Sequence, residues 1–215
     1  MLLGNEKNQK LLENIEFSPA HAFLLYGLDG VGKKTVALDT AKRLVGINPD
    51  FYFIEPDGSS ISIEQIRNFK NSFYLTSVSG YKAAVIDRAD ILTPEASNSL
   101  LKILEEPPGN AYIFIVTSQY NKILPTVRSR CLPVRFSPIK QELIFNYLVK
   151  NSFNEKISER ASIFANGSIG RALALAQNFK ACENEYESFQ KIIKAPWVDR
   201  INFCTFRKQL KLQKL

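Results

Sequence analysis

Histidine and cysteine are scarce in this chain, whose 215 residues include one histidine and three cysteines. A lone histidine, His21, excludes histidine-rich metal centres and histidine-based catalysis, and it is expected as a polar residue leading into a strand. Cys131, Cys182 and Cys204 are widely separated and odd in number. They build no disulfide framework and point to a reducing compartment, the cytoplasm. Nor can they assemble a local four-ligand site, so no zinc is expected. Long apolar runs are also missing. None approaches the roughly 18 residues that a membrane-spanning helix needs. Met1-Leu2-Leu3-Gly4-Asn5-Glu6-Lys7 lacks the apolar stretch of a signal peptide, and no membrane role is expected.

What remains is an ordinary soluble composition, 45% hydrophobic and 23% charged, with enough residues for one large domain or two small ones. A net charge of +7 and a pI near 9.3 suit an anionic partner, nucleic acid being the commonest, and equally suit plain solubility.

The segment Gly27-Leu28-Asp29-Gly30-Val31-Gly32-Lys33-Lys34-Thr35 is a phosphate-binding loop with one position altered. In the pattern G-x-x-x-x-G-K-[ST], glycines let backbone N–H groups curl around phosphate oxygens. The lysine reaches the terminal phosphates, and the next hydroxyl binds Mg²⁺. Gly27, Gly32 and Lys33 fit, but Lys34 occupies the hydroxyl position and would repel the metal. Thr35 comes one residue late, about 100° further round the helix that follows. The flanks agree with a strand–loop–helix unit: residues 22–26 read as a buried strand and 36–44 as an amphipathic helix. A Gly-rich turn without ligand is the plain alternative.

A second altered motif lies downstream. Ala83-Ala84-Val85-Ile86-Asp87 is an apolar strand ending in a carboxylate, the usual arrangement for Mg²⁺ contact. ATPases of the AAA+ type place a glutamate next, to polarise the attacking water; here the residue is Arg88, which cannot accept a proton. General-base assistance contributes about 10²–10⁴-fold. Asp90 is the candidate substitute, but three residues past Asp87 it is expected to have left the strand's end. A strand capped by a surface Asp-Arg pair is the alternative. Two defects in one apparatus point to lost hydrolysis.

Strands and helices alternate through about residue 137. Further strands are expected at 51–54, 112–117 and 131–136, and helices from Ser62 to about residue 73 and from Pro94 to about residue 105. Such alternation implies a parallel sheet covered on both faces, an α/β fold. After Ser137-Pro138 come three helices without strands, at about 139–151, 155–166 and 168–179. The expected organisation is a sheet domain over 1–137, a helical lid over 138–179 and a helical tail over 180–215. The tail is interrupted at Ala195-Pro196-Trp197 and turns basic and amphipathic from Arg207 to Leu215.

Two further segments carry a resemblance: Asn98-Ser99-Leu100-Leu101-Lys102-Ile103-Leu104-Glu105-Glu106-Pro107-Pro108, and Ile123-Leu124-Pro125-Thr126-Val127-Arg128-Ser129-Arg130-Cys131. With the altered loop they resemble the bacterial clamp-loader AAA+ subunits over about residues 5–179. Glu55-Pro56-Asp57-Gly58 and the following Ser60 to Arg67 make the chain most similar to the stator class of that family. The resemblance implies an AAA+ P-loop sheet domain with a helical lid, and a role in placing a sliding clamp on primed DNA. It implies partnership with the other clamp-loader subunits (gamma/tau and delta), the sliding clamp and primer-template DNA. Ser129-Arg130-Cys131 matches the family's finger motif, so Arg130 would stabilise phosphoryl charge at a neighbour's ATP site, a task suited to its planar, permanent charge. Thr117, with Ser118, would stand at the γ-phosphate sensor. Arg171 in Gly167-Ser168-Ile169-Gly170-Arg171 would be the lid's nucleotide contact, or else a helix-start arginine behind a Ser168 N-cap. ATP or ADP would be held weakly by Gly27, Gly30, Gly32, Lys33, Lys34, Thr35, Asp87, Thr117 and Arg171. The zinc module of many members is missing, since Gly46-Ile47-Asn48-Pro49-Asp50 runs straight through without cysteine. The roughly 36 residues after Phe179 are too few for the family's helical collar, so a truncated or absent collar is expected. Two other readings stay open: an active AAA+ motor (gamma/tau-like) or other remodeller, and a basic DNA-binding protein with a vestigial nucleotide fold.

Overall fold

The computed structural model describes residues 3–46, 49–78 and 80–194. Five strands form one parallel sheet: β1 (Ala22–Gly27), β2 (Phe51–Ile54), β3 (Lys82–Ile86), β4 (Ala111–Thr117) and β5 (Leu132–Phe136). Their order is β2-β3-β4-β1-β5. Successive residues of a strand point to opposite faces, and here both sets are apolar. Leu24, Ala84, Ile86, Ile113 and Ile115 share one core with Ile66, Phe69 and Phe73 of α3 (Ile63–Phe73) and Leu100 and Ile103 of α4 (Pro94–Glu105). Phe23, Leu25, Val85, Phe114 and Val116 meet Leu12 of α1 (Glu6–Glu13) and Val36, Ala37 and Ala41 of α2 (Lys33–Val45). Phe23 and Phe114 are cross-strand partners whose rings stack with centroids 5.8 Å apart. This is the two-faced burial that continuous apolar strands require.

Local chemistry sets the helix starts. Ser62 and Gln65 form a reciprocal capping box at the N-terminus of α3, and the Gln65 side chain also donates to the Glu55 carbonyl at 3.0 Å. Thr93 caps α4, with Pro94 in its first turn. Helix α1 carries no clear signal in the sequence, because its only buried residue is Leu12. Cys131 precedes β5 instead of opening it, and is buried. Burial pushes its thiol up to about 12. At pH 8 that leaves about 10⁻⁴ of the thiol ionised, and the thiolate is the reactive form. The Cys131 peptide should therefore resist alkylation in the native protein and react on unfolding, as mass spectrometry of protease digests would show.

After the short helix α5 (Pro125–Arg128) and β5, helices α6 (Gln141–Lys150), α7 (Glu155–Phe164) and α8 (Ile169–Lys194) close around Ile144, Leu148, Ile157, Ala161, Ala172 and Ala176. Helix α8 corrects one expectation. It does not end near Phe179 but runs unbroken to Lys194, because residues 180–194 contain neither glycine nor proline to stop it. The expected interruption at 195–197 and the basic stretch from Arg207 lie outside the described residues.

Candidate functional site

In a parallel sheet the C-terminal ends of all strands lie at one edge, where ligands bind. Gly27 ends β1, Glu55 follows β2, Asp87 follows β3 and Thr117 ends β4. The phosphate loop leaves β1 at this edge and runs into the N-terminus of α2. Its glycines take backbone angles that side chains rarely adopt, with φ of +143° at Gly27, +72° at Gly30 and +98° at Gly32. Lys33 is buried, and its ammonium donates to the Gly27 and Leu28 carbonyls at 2.9 and 2.7 Å. Burial lowers its pKa below the usual lysine value, partly offset by Asp29, Asp87 and Asp90.

Lys34 is the second residue of α2 and turns to β3. Its Nζ lies 2.9 Å from Asp87 Oδ2, 3.6 Å from Glu55 Oε2 and 4.8 Å from the centroid of the Phe53 ring. Burial works against its charge, but the hydrogen bond and charge of Asp87, with Glu55, outweigh it and raise the ammonium above the ordinary value. The other Asp87 oxygen accepts from the Arg88 N–H at 3.0 Å. Glu55 is a site residue that local sequence reading missed, since only strand pairing between β2 and β3 brings it near Lys34.

Asp90 requires a correction. Arg88 adopts φ +50°, the chain curls into a 3₁₀ turn over Ala89–Ile91, and Asp90 returns to the sheet edge. There it accepts a hydrogen bond of 2.7 Å from the Thr117 hydroxyl. Thr117 is buried and its oxygen also accepts from the Gln119 N–H. Arg88 and Thr35 are exposed, as is Ser118. Thr35 thus stands on the outer face of α2, away from the groups gathered around Lys33 and Lys34.

The lid touches the loop directly. Gly170 N–H donates to the Gly30 carbonyl at 2.9 Å, and a Cβ at Gly30 would come within 2.4 Å of Ser168 Oγ. Ser168 accepts from the Arg171 N–H, as an N-cap does, while the Arg171 residue is exposed on the first turn of α8.

Arg130 is elsewhere. It precedes β5, whose Leu132 pairs with Phe23 near the start of β1, whereas the loop follows Gly27, paired with Phe136. At about 3.3 Å per residue, at least about 13 Å of strand separates the two positions. Its Nε and Nη2 contact Glu105 Oε1 at 2.8 and 2.5 Å, and Nη1 donates to the Thr126 carbonyl at 2.9 Å. Glu105 ends α4, and its contact with Arg130 has no local sequence signal.

A phosphate loop after β1 and a carboxylate after β3, one strand removed on the same parallel sheet, with a helical lid resting on the loop, define a P-loop protein of the AAA+ type. A family model described as DNA polymerase III, delta subunit, matches residues 45–140. The chain is 36% identical over 185 residues to the DNA polymerase III subunit gamma of Buchnera aphidicola (from Schizaphis graminum), covering 74% of this chain and 51% of that one. It is 30% identical over 196 residues to the DNA polymerase III subunit delta' of Bacillus subtilis, covering 81% and 58%. The crystal structure of a DNA polymerase III gamma subunit-related protein from Thermotoga maritima superposes with a TM-score of 0.64 at 26% identity, over 79% of this chain and 57% of that one. The chain is similar to the clamp-loader AAA+ subunits of bacterial DNA polymerase III. It spans about half the length of the curated relatives it matches.

Proposed function

We propose that the chain is a delta-prime-like stator of a bacterial clamp loader in the cytoplasm. It works with the gamma/tau and delta subunits and, through the complex, with the sliding clamp and primer-template DNA. Arg130 supplies an arginine finger to a neighbour's ATP site, where the neighbour's phosphate replaces the Glu105 carboxylate as its counter-ion. The observation that carries this reading is the separation of parts. Arg130 stands at the sheet edge away from the chain's own loop, while that loop has an ammonium at the metal position and an exposed arginine after Asp87. An arginine so placed has no phosphate of its own to serve.

A motor of the gamma/tau type is the second reading, favoured by the 36% identity to a subunit of that name. Steady-state ATP hydrolysis by the purified chain separates the two. The stator is expected to show no turnover above the contaminant level. A rate near 1 s⁻¹, about the low end for ordinary enzymes, that follows the protein through a further column would reject it.

A further inference from the structure

We propose that the Lys34 ammonium takes the place of the divalent cation in this phosphate loop, which therefore accepts a nucleoside diphosphate without metal. In a P-loop protein the hydroxyl at this position and a carboxylate at the end of another strand of the sheet hold the metal between them. Here the hydroxyl position carries an amine, and that amine lies 2.9 Å from the very carboxylate, Asp87, that would support the metal. Glu55 at 3.6 Å and the Phe53 ring at 4.8 Å hold it from two other directions. Both Asp87 oxygens are engaged, one by Lys34 and one by the Arg88 N–H. Magnesium needs near-octahedral oxygen ligands at about 2.0–2.1 Å. The residues present do not fit it, because a positive charge already sits on Asp87, the carboxylate at the metal-supporting position.

The remainder of the loop does fit a phosphate. Gly27, Gly30 and Gly32 keep the left-handed backbone of an anion cradle, and the loop opens into the N-terminus of α2. Lys33 rests on two neutral carbonyls, weaker partners than a phosphate oxygen would be. An ammonium has three donors. Lys34 directs one at Asp87 and a second toward Glu55, which leaves one for a phosphate oxygen. It brings one positive charge where magnesium would bring two, and so suits a ligand with one negative charge fewer than ATP. ADP is therefore the preferred occupant.

The test is isothermal titration of the full chain with ADP and ATP, in magnesium and again in EDTA. The ADP dissociation constant should agree within about twofold between the two conditions, with ATP no tighter than ADP. Lys34→Met should weaken ADP about tenfold or more in both conditions, and Lys34→Thr should bind only when magnesium is present. Thermal melts establish that both variants are folded, and the wild-type titrations decide the matter even if they are not. Loss of ADP binding in EDTA by about tenfold or more, or no ADP binding at about 1 mM in either condition, would overturn the proposal. These titrations use the isolated chain and do not involve Arg130, so their outcome is independent of whether the chain acts as a stator.

Discussion

Replacing Arg130 with alanine is expected to lower DNA-stimulated ATP hydrolysis by the reconstituted clamp loader while leaving the chain folded. Arginine fingers contribute about 10³–10⁵ to phosphoryl-transfer rates. The site served by Arg130 should lose most of that factor, and total turnover should fall at least by the share that site carries. Stability should change little. The Arg130–Glu105 pair is half exposed, and such pairs contribute about 0–1 kcal/mol. Lysine should not rescue, because a point charge cannot reproduce the planar fork that grips two oxygens at once. Turnover of the assembled complex is the measurement, with assembly followed separately by gel filtration. Unchanged turnover in a normally assembled complex would remove Arg130 from the finger role.

Gly27→Ala should be among the most damaging substitutions of a single atom in the sheet domain. A Cβ at Gly27 would fall 2.2 Å from the carbonyl oxygen of Phe136 and 3.1 Å from its carbon, and φ is +143°. The obstacle is backbone in the paired strand β5, so no rotamer change relieves it; either the β1–β5 ladder parts or the loop moves. Overpacking and enforced left-handed backbone each cost about 1–3 kcal/mol, for a combined loss of about 2–6 kcal/mol. In a protein of this size that corresponds to a fall in Tm of about 4–24 °C. Gly58→Ala is the control. It has φ +69° but nothing within 4 Å of its Cβ, so it carries the backbone penalty alone. Thermal melts of the two variants should differ by at least the steric part. Equal Tm values would mean that the close approach of β1 and β5 relaxes freely.

Much of the fold could be read from periodicity. Residues 22–26, 51–54 and 112–117 are apolar at both strand parities, which only a sheet buried on both faces satisfies. The start of α3 at Ser62 was legible from the turn before it and the apolar period after it. Helix α1 and the length of α8 were less legible for opposite reasons. One buried leucine makes no period, and a helix with nothing to break it has no marked end. Asp90 was misplaced because its return depends on a left-handed Arg88, a conformation that arginine seldom shows and that no local pattern announces.

By itself, the sequence determined the alternation of strands and helices, the glycine loop, the amine in place of a hydroxyl at Lys34 and the arginine in place of a carboxylate at Arg88. These are local matters, settled by side-chain period, backbone freedom and residue chemistry. Only the tertiary structure decided what each charged group meets. The strand order β2-β3-β4-β1-β5 brings Glu55 and Asp87 to Lys34 and sends Arg130 to the far edge beside Glu105. The lid's Gly170 reaches the loop at Gly30 across 140 positions of chain. Such contacts depend on which strands become neighbours, and that follows from burying both faces of the whole sheet at once, not from any stretch read alone.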